Sequence, residues 1–227
     1  MKSLRLIVLF VFLGSLKAFS QDLSRVTSGL DVGLGYQSEV WVPSVTYHQE
    51  LSLSNFPWFR IGWGVRAWGY YGGRTDMFPK SSAVSSDTLK FGRLSANGAS
   101  FLLGANFRLW KFDIGANTDL FGVAFGLKRQ ALYANGGLYD EESGEYYNKY
   151  LSSGPATLNA LPLVLDKQNG QSEAYIRYWI TDRIGVKLAY VHGRVTYASP
   201  YKLVNGQTRY STTFGVPYLA LSFPLYN

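Results

Sequence analysis

The chain has 227 residues, of which 16% are aromatic and only 16% are charged, against roughly 25% charged residues in an average soluble protein. It contains no cysteine, which excludes disulfide bonds and thiolate metal sites. The formal net charge of +7 is dispersed along the chain, which argues against a nucleic-acid partner. These values favour one β-rich domain with much apolar surface.

The first twenty residues are typical of a secretory signal peptide. A basic start at 1–5 precedes an apolar run at 6–13, and 18–20 supply a small-x-small cleavage motif. The alternative, a membrane-anchoring helix, is disfavoured because the apolar run is too short. Cleavage removes three bases and no acid, so the formal net charge falls from +7 to +4. We predict a signal peptide at 1–20 and an exported domain at 21–227.

Eight later segments alternate between apolar and other residues with the period of two that β-strands show. The polar turn at 181–183 joins two of these segments and predicts a β-hairpin. Weakly alternating segments of about ten residues, separated by turns, are typical of transmembrane β-barrels. The alternation loses phase at 121–126, where we expect a β-bulge. The segments lie at 29–36, 44–51, 59–68, 98–109, 112–120, 175–180, 184–190 and 218–225.

Short and long links alternate between these segments. Short links such as 110–111 and 181–183 are expected on one side of the barrel, and long loops on the other. An even number of strands puts both chain termini on the short-turn side, the periplasm. We therefore predict an all-β fold: an eight-stranded antiparallel transmembrane β-barrel, an up-and-down meander, with extracellular loops at about 72–97, 126–171 and 198–210.

The apolar face of the alternation is predicted to meet lipid. Aromatic residues near the segment ends are candidates for interfacial girdles, namely Trp58, Trp63, Tyr70, Tyr71, Trp110, Trp179 and Tyr197. The residues predicted to face lipid are Leu30, Val32, Leu34, Ile61, Trp63, Val65, Phe101, Leu103, Ala105, Ile114, Ile176, Tyr178, Val186, Leu188, Leu221 and Phe223.

The opposite face carries five acids and five bases. An eight-stranded barrel has an interior just wide enough for side chains to fill, and buried charges are costly unless they are paired. We therefore predict a packed polar network inside the barrel, and no wide pore. The alternative, ordinary exposed charges of a soluble β-sandwich, does not explain the leader together with the membrane-length segments. The predicted network comprises Asp31, Glu50, Arg60, Arg66, Arg108, Asp113, Asp119, Glu173, Arg177 and Lys187.

Two longer stretches and the C-terminal run carry a family resemblance. They are 112–126 (FDIGANTDLFGVAFG), 175–190 (YIRYWITDRIGVKLAY) and 219–226. With them the chain resembles the small porin-like outer-membrane barrels of Gram-negative bacteria, of the OmpA-like, OmpX-like and OmpW-like type. The resemblance implies outer-membrane lipid and the outer-membrane assembly machinery as partners. That machinery reads a terminal aromatic residue, whereas here Tyr226 is followed by Asn227.

Residues that could carry chemistry are few. His48 and His192 fall on opposite faces of the alternation, so they do not converge on a metal. Barrel lipid A deacylases place a serine two residues after a histidine, but here Arg194 occupies that position. The acidic cluster at 140–142 is explained by a solvated turn. We predict no enzymatic activity, no cofactor and no bound metal.

The loop predicted at 126–171 leaves two interpretations open. Its first half is rich in tyrosine, and its second half, at 156–165, is apolar. The strands could simply extend above the membrane as a hairpin, or the loop could recognise an extracellular partner or a hydrophobic small molecule. We predict a structural or surface-interaction role. The alternative is a passive channel or a lateral-diffusion transporter for small hydrophobic compounds.

Overall fold

The computed structural model describes residues 26–79, 87–134, 145–162, 164–203 and 206–226. The predicted signal peptide and the acidic cluster lie outside these ranges, as do parts of the three predicted loops. In the described ranges the chain forms thirteen antiparallel strands and no α-helix. Within the same ranges, no helix has the length and hydropathy needed to cross a membrane.

The predicted count of eight strands was therefore too low. The segments expected to be long loops contain five further strands, each of three to six residues. The thirteen strands are β1 (Val26–Gln37), β2 (Val40–Leu53), β3 (Phe56–Gly72), β4 (Thr75–Pro79), β5 (Thr88–Phe91), β6 (Leu94–Leu109), β7 (Phe112–Phe125), β8 (Arg129–Ala134), β9 (Tyr150–Pro155), β10 (Leu158–Ala160), β11 (Gly170–Thr181), β12 (Ile184–Ala198) and β13 (Arg209–Tyr226).

Eight long strands follow one another around a closed ring, in the order β1-β2-β3-β6-β7-β11-β12-β13. The last of them, β13, pairs with β1, and a closed ring has no free sheet edge. The predicted hairpin at 175–190 is confirmed, with its turn at Asp182 and Arg183. The predicted bulge lies at Leu120, one residue before the expected stretch, where the register between β6 and β7 shifts.

The two ends of the ring differ. Two-residue turns at 54–55, 110–111 and 182–183 all lie at the end where β1 begins and β13 finishes, which we call the turn end. The long connections lie at the opposite end, the loop end, together with the short turn at 38–39.

A second, smaller ring stands on the loop end. The strands β4, β5, β8 and β9 pair in series, and β4 and β9 attach to the ends of β13 and β12. We call these four strands the crown. Asp87 accepts hydrogen bonds from Tyr133 and Tyr147 at 2.6 and 3.0 Å in its buried core. Burial, and then the bond to Asp87, raises the pKa of Tyr133 above its ordinary value.

Side chains alternate between the two faces of the large ring because strand geometry has a period of two. All sixteen residues predicted to face lipid lie on the outer face, exposed or half-exposed. Gln49, which breaks the apolar pattern of β2, donates a hydrogen bond to the Tyr47 hydroxyl at 2.5 Å.

Three of the candidates for the aromatic girdles do not lie on the outer face. Tyr70 and Tyr197 are buried, with 2% and 0% of their surface exposed. The indole N–H of Trp179 donates to the Oδ2 atom of Asp113 at 2.7 Å, so this side chain also points into the ring. Proximity to a strand end in the sequence did not distinguish an outward aromatic side chain from an inward one. The candidates that are exposed are Trp58, Trp63, Tyr71 and Trp110.

Candidate functional site

The interior of the large ring holds the ten charged residues that the alternation places on its polar face. Seven of the eight ring strands, all but β13, contribute them, because each strand turns every second side chain inward. Nine of the ten are buried, and Arg108 is half-buried. Burial of this many charges is stable only when ion pairs and hydrogen bonds satisfy them.

Arg177 of β11 lies at the centre of the network. Its guanidinium group pairs with Asp31 at 3.1 Å, and with Glu50 and Asp113 at 3.4 Å each. Ser222 also donates a hydrogen bond to Asp31 at 2.6 Å. One cation therefore ties together strands β1, β2, β7 and β11 across the ring.

The ion pairs continue toward the loop end in an alternating series. Lys187 bridges Asp31 and Glu173 at 2.7 and 2.6 Å. Arg66 then pairs with Glu173 at 3.1 Å and with Asp119 at 2.9 Å. The series therefore alternates in sign along the ring axis and leaves no charge in this part without an opposite neighbour.

Tyrosine rings and glycines pack around the series. The Tyr175 ring lies 5.3 Å from the Arg177 guanidinium and 5.2 Å from the Lys187 ammonium, distances at which the ring face attracts a cation. A Cβ atom at Gly115 would lie 2.8 Å from the Tyr175 hydroxyl. Glycine at this position therefore makes the room that the tyrosine needs.

Apolar side chains fill the ring between this network and the crown. They come from the loop-end halves of the strands and are at most 3% exposed. With the buried core of the crown, they fill the loop-end side of the interior in the described ranges. These residues are Val42, Leu94, Val191, Val195 and Val216.

The interior is less tightly filled at the turn end. A cavity of about 330 Å³ opens there, and we call it the vestibule. Arg108 binds Asp113 through Nε and Nη2 at 2.6 and 3.0 Å. Arg60 reaches Glu50 at 3.5 Å. The vestibule is lined by Thr27, Ser28, Gly29, His48, Glu50, Arg60, Arg108, Trp110, Lys111, Arg177, Trp179, Thr181, Asp182 and Pro224.

The two histidines lie apart. The ring nitrogens of His48 lie 3.2 Å from Glu50 and 3.6 Å from Asp31, so it belongs to the interior network. His192 is exposed on β12. In the part of the chain that the structure describes, no group of three or more His, Asp or Glu side chains could hold a metal ion.

Trp179 and Lys111 are two of the vestibule residues that the predicted network did not include. Trp179 shares the inward side of the alternation with Arg177, so the period of two signalled its position. Lys111 lies in a two-residue turn, where alternation makes no prediction. The vestibule itself depends on how side chains from different strands fit together, and it has no sequence pattern.

Comparisons with known proteins give no family assignment. No family model and no curated protein matches the chain. The crystal structure of Neisserial surface protein A matches with a TM-score of 0.35 and 9% identity, over 87% of this chain and 94% of that chain. CdiB from Acinetobacter baumannii matches with a TM-score of 0.15 and 7% identity, over 89% of this chain and 60% of that chain.

Proposed function

We propose that the chain is an integral outer-membrane protein, a barrel whose wall is the closed ring of eight long strands, with a packed polar interior and a structural or surface-interaction role. One observation carries the proposal: the large ring exposes apolar side chains on its outside and buries ion pairs inside. Soluble monomers rarely expose a contiguous apolar patch larger than a few hundred Å². Lipid is the solvent that such an outer face fits.

The backbone supports this proposal. No water is present in the bilayer core to satisfy free N–H and C=O groups, so only helices and closed sheets cross it. The eight long strands have 12 to 18 residues each, more than the about 9–11 that a tilted spanning strand needs. Exposed aromatic side chains lie near the turn end at Trp58 and Trp110, and near the loop end at Trp41 and Tyr71, as interfacial girdles do.

The orientation follows from the connections. Bacterial spanning barrels have short turns on the periplasmic side and longer loops outside. On this basis both chain termini lie in the periplasm and the crown is extracellular. The outer-membrane assembly machinery, which inserts such barrels, and outer-membrane lipid are then the expected partners.

A closed interior favours a structural or surface role over a channel. Ions or solutes would have to cross the series formed by Arg177, Lys187 and Arg66, then the apolar layer, then the core of the crown. In the described ranges these layers consist of paired charges and buried side chains.

The first test is conductance. We expect protein folded in detergent to migrate differently on gels before and after boiling, and to leave planar bilayers silent. The physical reason is that, among the described residues, paired charges and buried side chains fill the interior between the vestibule and the crown. A porin reconstituted in parallel shows that the bilayers accept barrels. Steady single-channel steps would instead support the alternative function, a passive channel.

The segment 158–165 is the best candidate for surface interaction. β10 pairs with β7 above the end of β11, which places Leu158 opposite Val123. Leu158 and Val164 are 71% and 74% exposed, and Leu161 and Leu165 are also exposed. This apolar edge continues the outer face of the ring toward the crown. It suits a hydrophobic small molecule or the apolar surface of an extracellular partner.

If this segment binds hydrophobic ligands, polar substitutions in it should weaken binding without lowering stability. The double variant Leu158→Ser and Val164→Ser is expected to fold normally, because both side chains are exposed, but to lose at least tenfold affinity for naphthalene. Equilibrium dialysis against protein in lipid nanodiscs, with empty nanodiscs subtracted, measures that affinity. Tyr150→Ser, an exposed change in the crown, is the control. Equal binding by all three proteins would exclude this segment as the hydrophobic site.

A further inference from the structure

We propose that the vestibule is a binding site for a small organic anion, a phosphate or carboxylate with an apolar or aromatic body. The inference goes beyond the proposed structural role. The vestibule opens at the turn end and has a volume of about 330 Å³, within the range of small-molecule pockets. The vestibule ends at Arg177, so a ligand binds there without passing through the ring.

The first argument is the number of free hydrogen-bond donors. A guanidinium group has five N–H donors. Arg60 is 8% exposed, yet within the described chain its one ion pair is the 3.5 Å contact with Glu50. Its buried Nε atom has no hydrogen-bond partner among the described residues. Arg60 therefore brings a desolvated and nearly unused cation to the vestibule.

The second argument is that the buried carboxylates around Arg60, those of Asp113 and Glu50, are already occupied, while Asp182 of the lining is exposed to solvent. Asp113 accepts two hydrogen bonds from Arg108 and one from Trp179, and also pairs with Arg177. Glu50 is shared among three cationic or titratable side chains, those of His48, Arg60 and Arg177. These acids have little capacity left for the remaining N–H donors of Arg60. An anion from solution would supply the missing hydrogen-bond acceptors.

The third argument is the position of two like charges. Arg60 of β3 is paired with Asn106 of β6, and Arg108 lies two residues further along β6 on the same inward face. Diagonal neighbours of this kind lie within reach of long side chains, and like charges there repel. An oxyanion held between the two guanidinium groups would replace that repulsion with two charge-assisted contacts.

The fourth argument concerns the body of the ligand. Trp110 and Trp179 contribute indole rings to the wall of the vestibule, and the Arg108 guanidinium lies 5.5 Å from the Trp179 ring centre. Lys111 adds a further cation to the lining. Indole rings offer apolar contact to the body of a ligand. An organic anion therefore fits this site better than inorganic phosphate does.

The test uses phenyl phosphate as the probe and isothermal titration calorimetry on the full-length folded protein in detergent. We expect saturable binding of one phenyl phosphate per chain, and at least fivefold weaker binding of inorganic phosphate. Arg60→Met is expected to reduce the affinity at least tenfold. Arg183→Met removes an exposed cation at the same end of the molecule, outside the vestibule, and is expected to change the affinity less than twofold.

Three outcomes would overturn the inference: no saturable binding, equal losses in the Arg60→Met and Arg183→Met variants, or equal affinity for phenyl phosphate and inorganic phosphate. A second variant, Arg108→Met, covers the case in which Arg60→Met does not fold, as judged by gel migration before and after boiling. Because binding is measured in detergent, its failure is separate from the conductance test of the proposed function.

Discussion

Replacing Arg177 by leucine is expected to lower the free energy of unfolding by about 3–5 kcal/mol, because it removes one partner from a buried ion-pair network. Three carboxylates lie within 3.4 Å of this guanidinium group. Without Arg177 those negative charges would remain desolvated, with less compensation. Replacing Arg66 by leucine is expected to have a similar effect for the same reason.

The measurement is a guanidinium chloride titration of the protein folded in lipid vesicles, followed by tryptophan fluorescence. Arg194→Leu is the matched control, because it breaks the partly exposed ion pair with Asp166 at 3.2 Å. Surface pairs of this kind contribute about 0–1 kcal/mol. An Arg177→Leu variant as stable as the Arg194→Leu variant would show that the interior is hydrated and that the paired charges contribute little.

Replacing Leu103 by lysine is expected to destabilise the membrane-inserted protein by about 2–4 kcal/mol, the cost of a lysine on the lipid face near the bilayer midplane. Leu103 lies in the middle of β6, is 42% exposed and points away from the ion pairs. If water covered this face, an exposed substitution would change stability by only about 0.5 kcal/mol. The expected effect therefore separates lipid from water as the solvent of the outer face.

The same vesicle titration measures this variant. Tyr150→Lys is the control, because Tyr150 is 71% exposed on β9 of the crown, outside the apolar outer face. We expect that control to stay within about 0.5 kcal/mol of the unchanged protein. Equal stabilities of the Leu103→Lys and Tyr150→Lys variants would contradict the membrane location.

The Arg177→Leu and Leu103→Lys variants test the inner and the outer face of the ring. Arg177 tests whether the charges inside are desolvated, and Leu103 tests whether the outside is in lipid. If the ring lay in a membrane but its interior were filled with water, Arg177→Leu would leave the stability unchanged and Leu103→Lys would lower it. In a soluble protein with a dry charged core, Arg177→Leu would lower the stability and Leu103→Lys would leave it unchanged. The proposed barrel requires both losses.

The sequence by itself determined which side chains share a face of each long strand. Strand geometry has a period of two, so Ile176 and Arg177 must point to opposite sides wherever the strand lies. Likewise, the polar residues at 181–183 already marked the hairpin turn, because turn chemistry is local. These features depend on neighbouring residues along the chain, and the structure shows them where the pattern predicted.

Only the tertiary structure decided which charges meet. Arg177 and Asp31 are separated by 146 residues, and the ring closure brings them to 3.1 Å. The crown could not be predicted from the sequence pattern either. Its strands are too short to show a period, and they pack through contacts between residues far apart in the chain, such as Asp87 and Tyr133. The vestibule depends on which side chains fail to fill a space, and that is a property of the assembled ring.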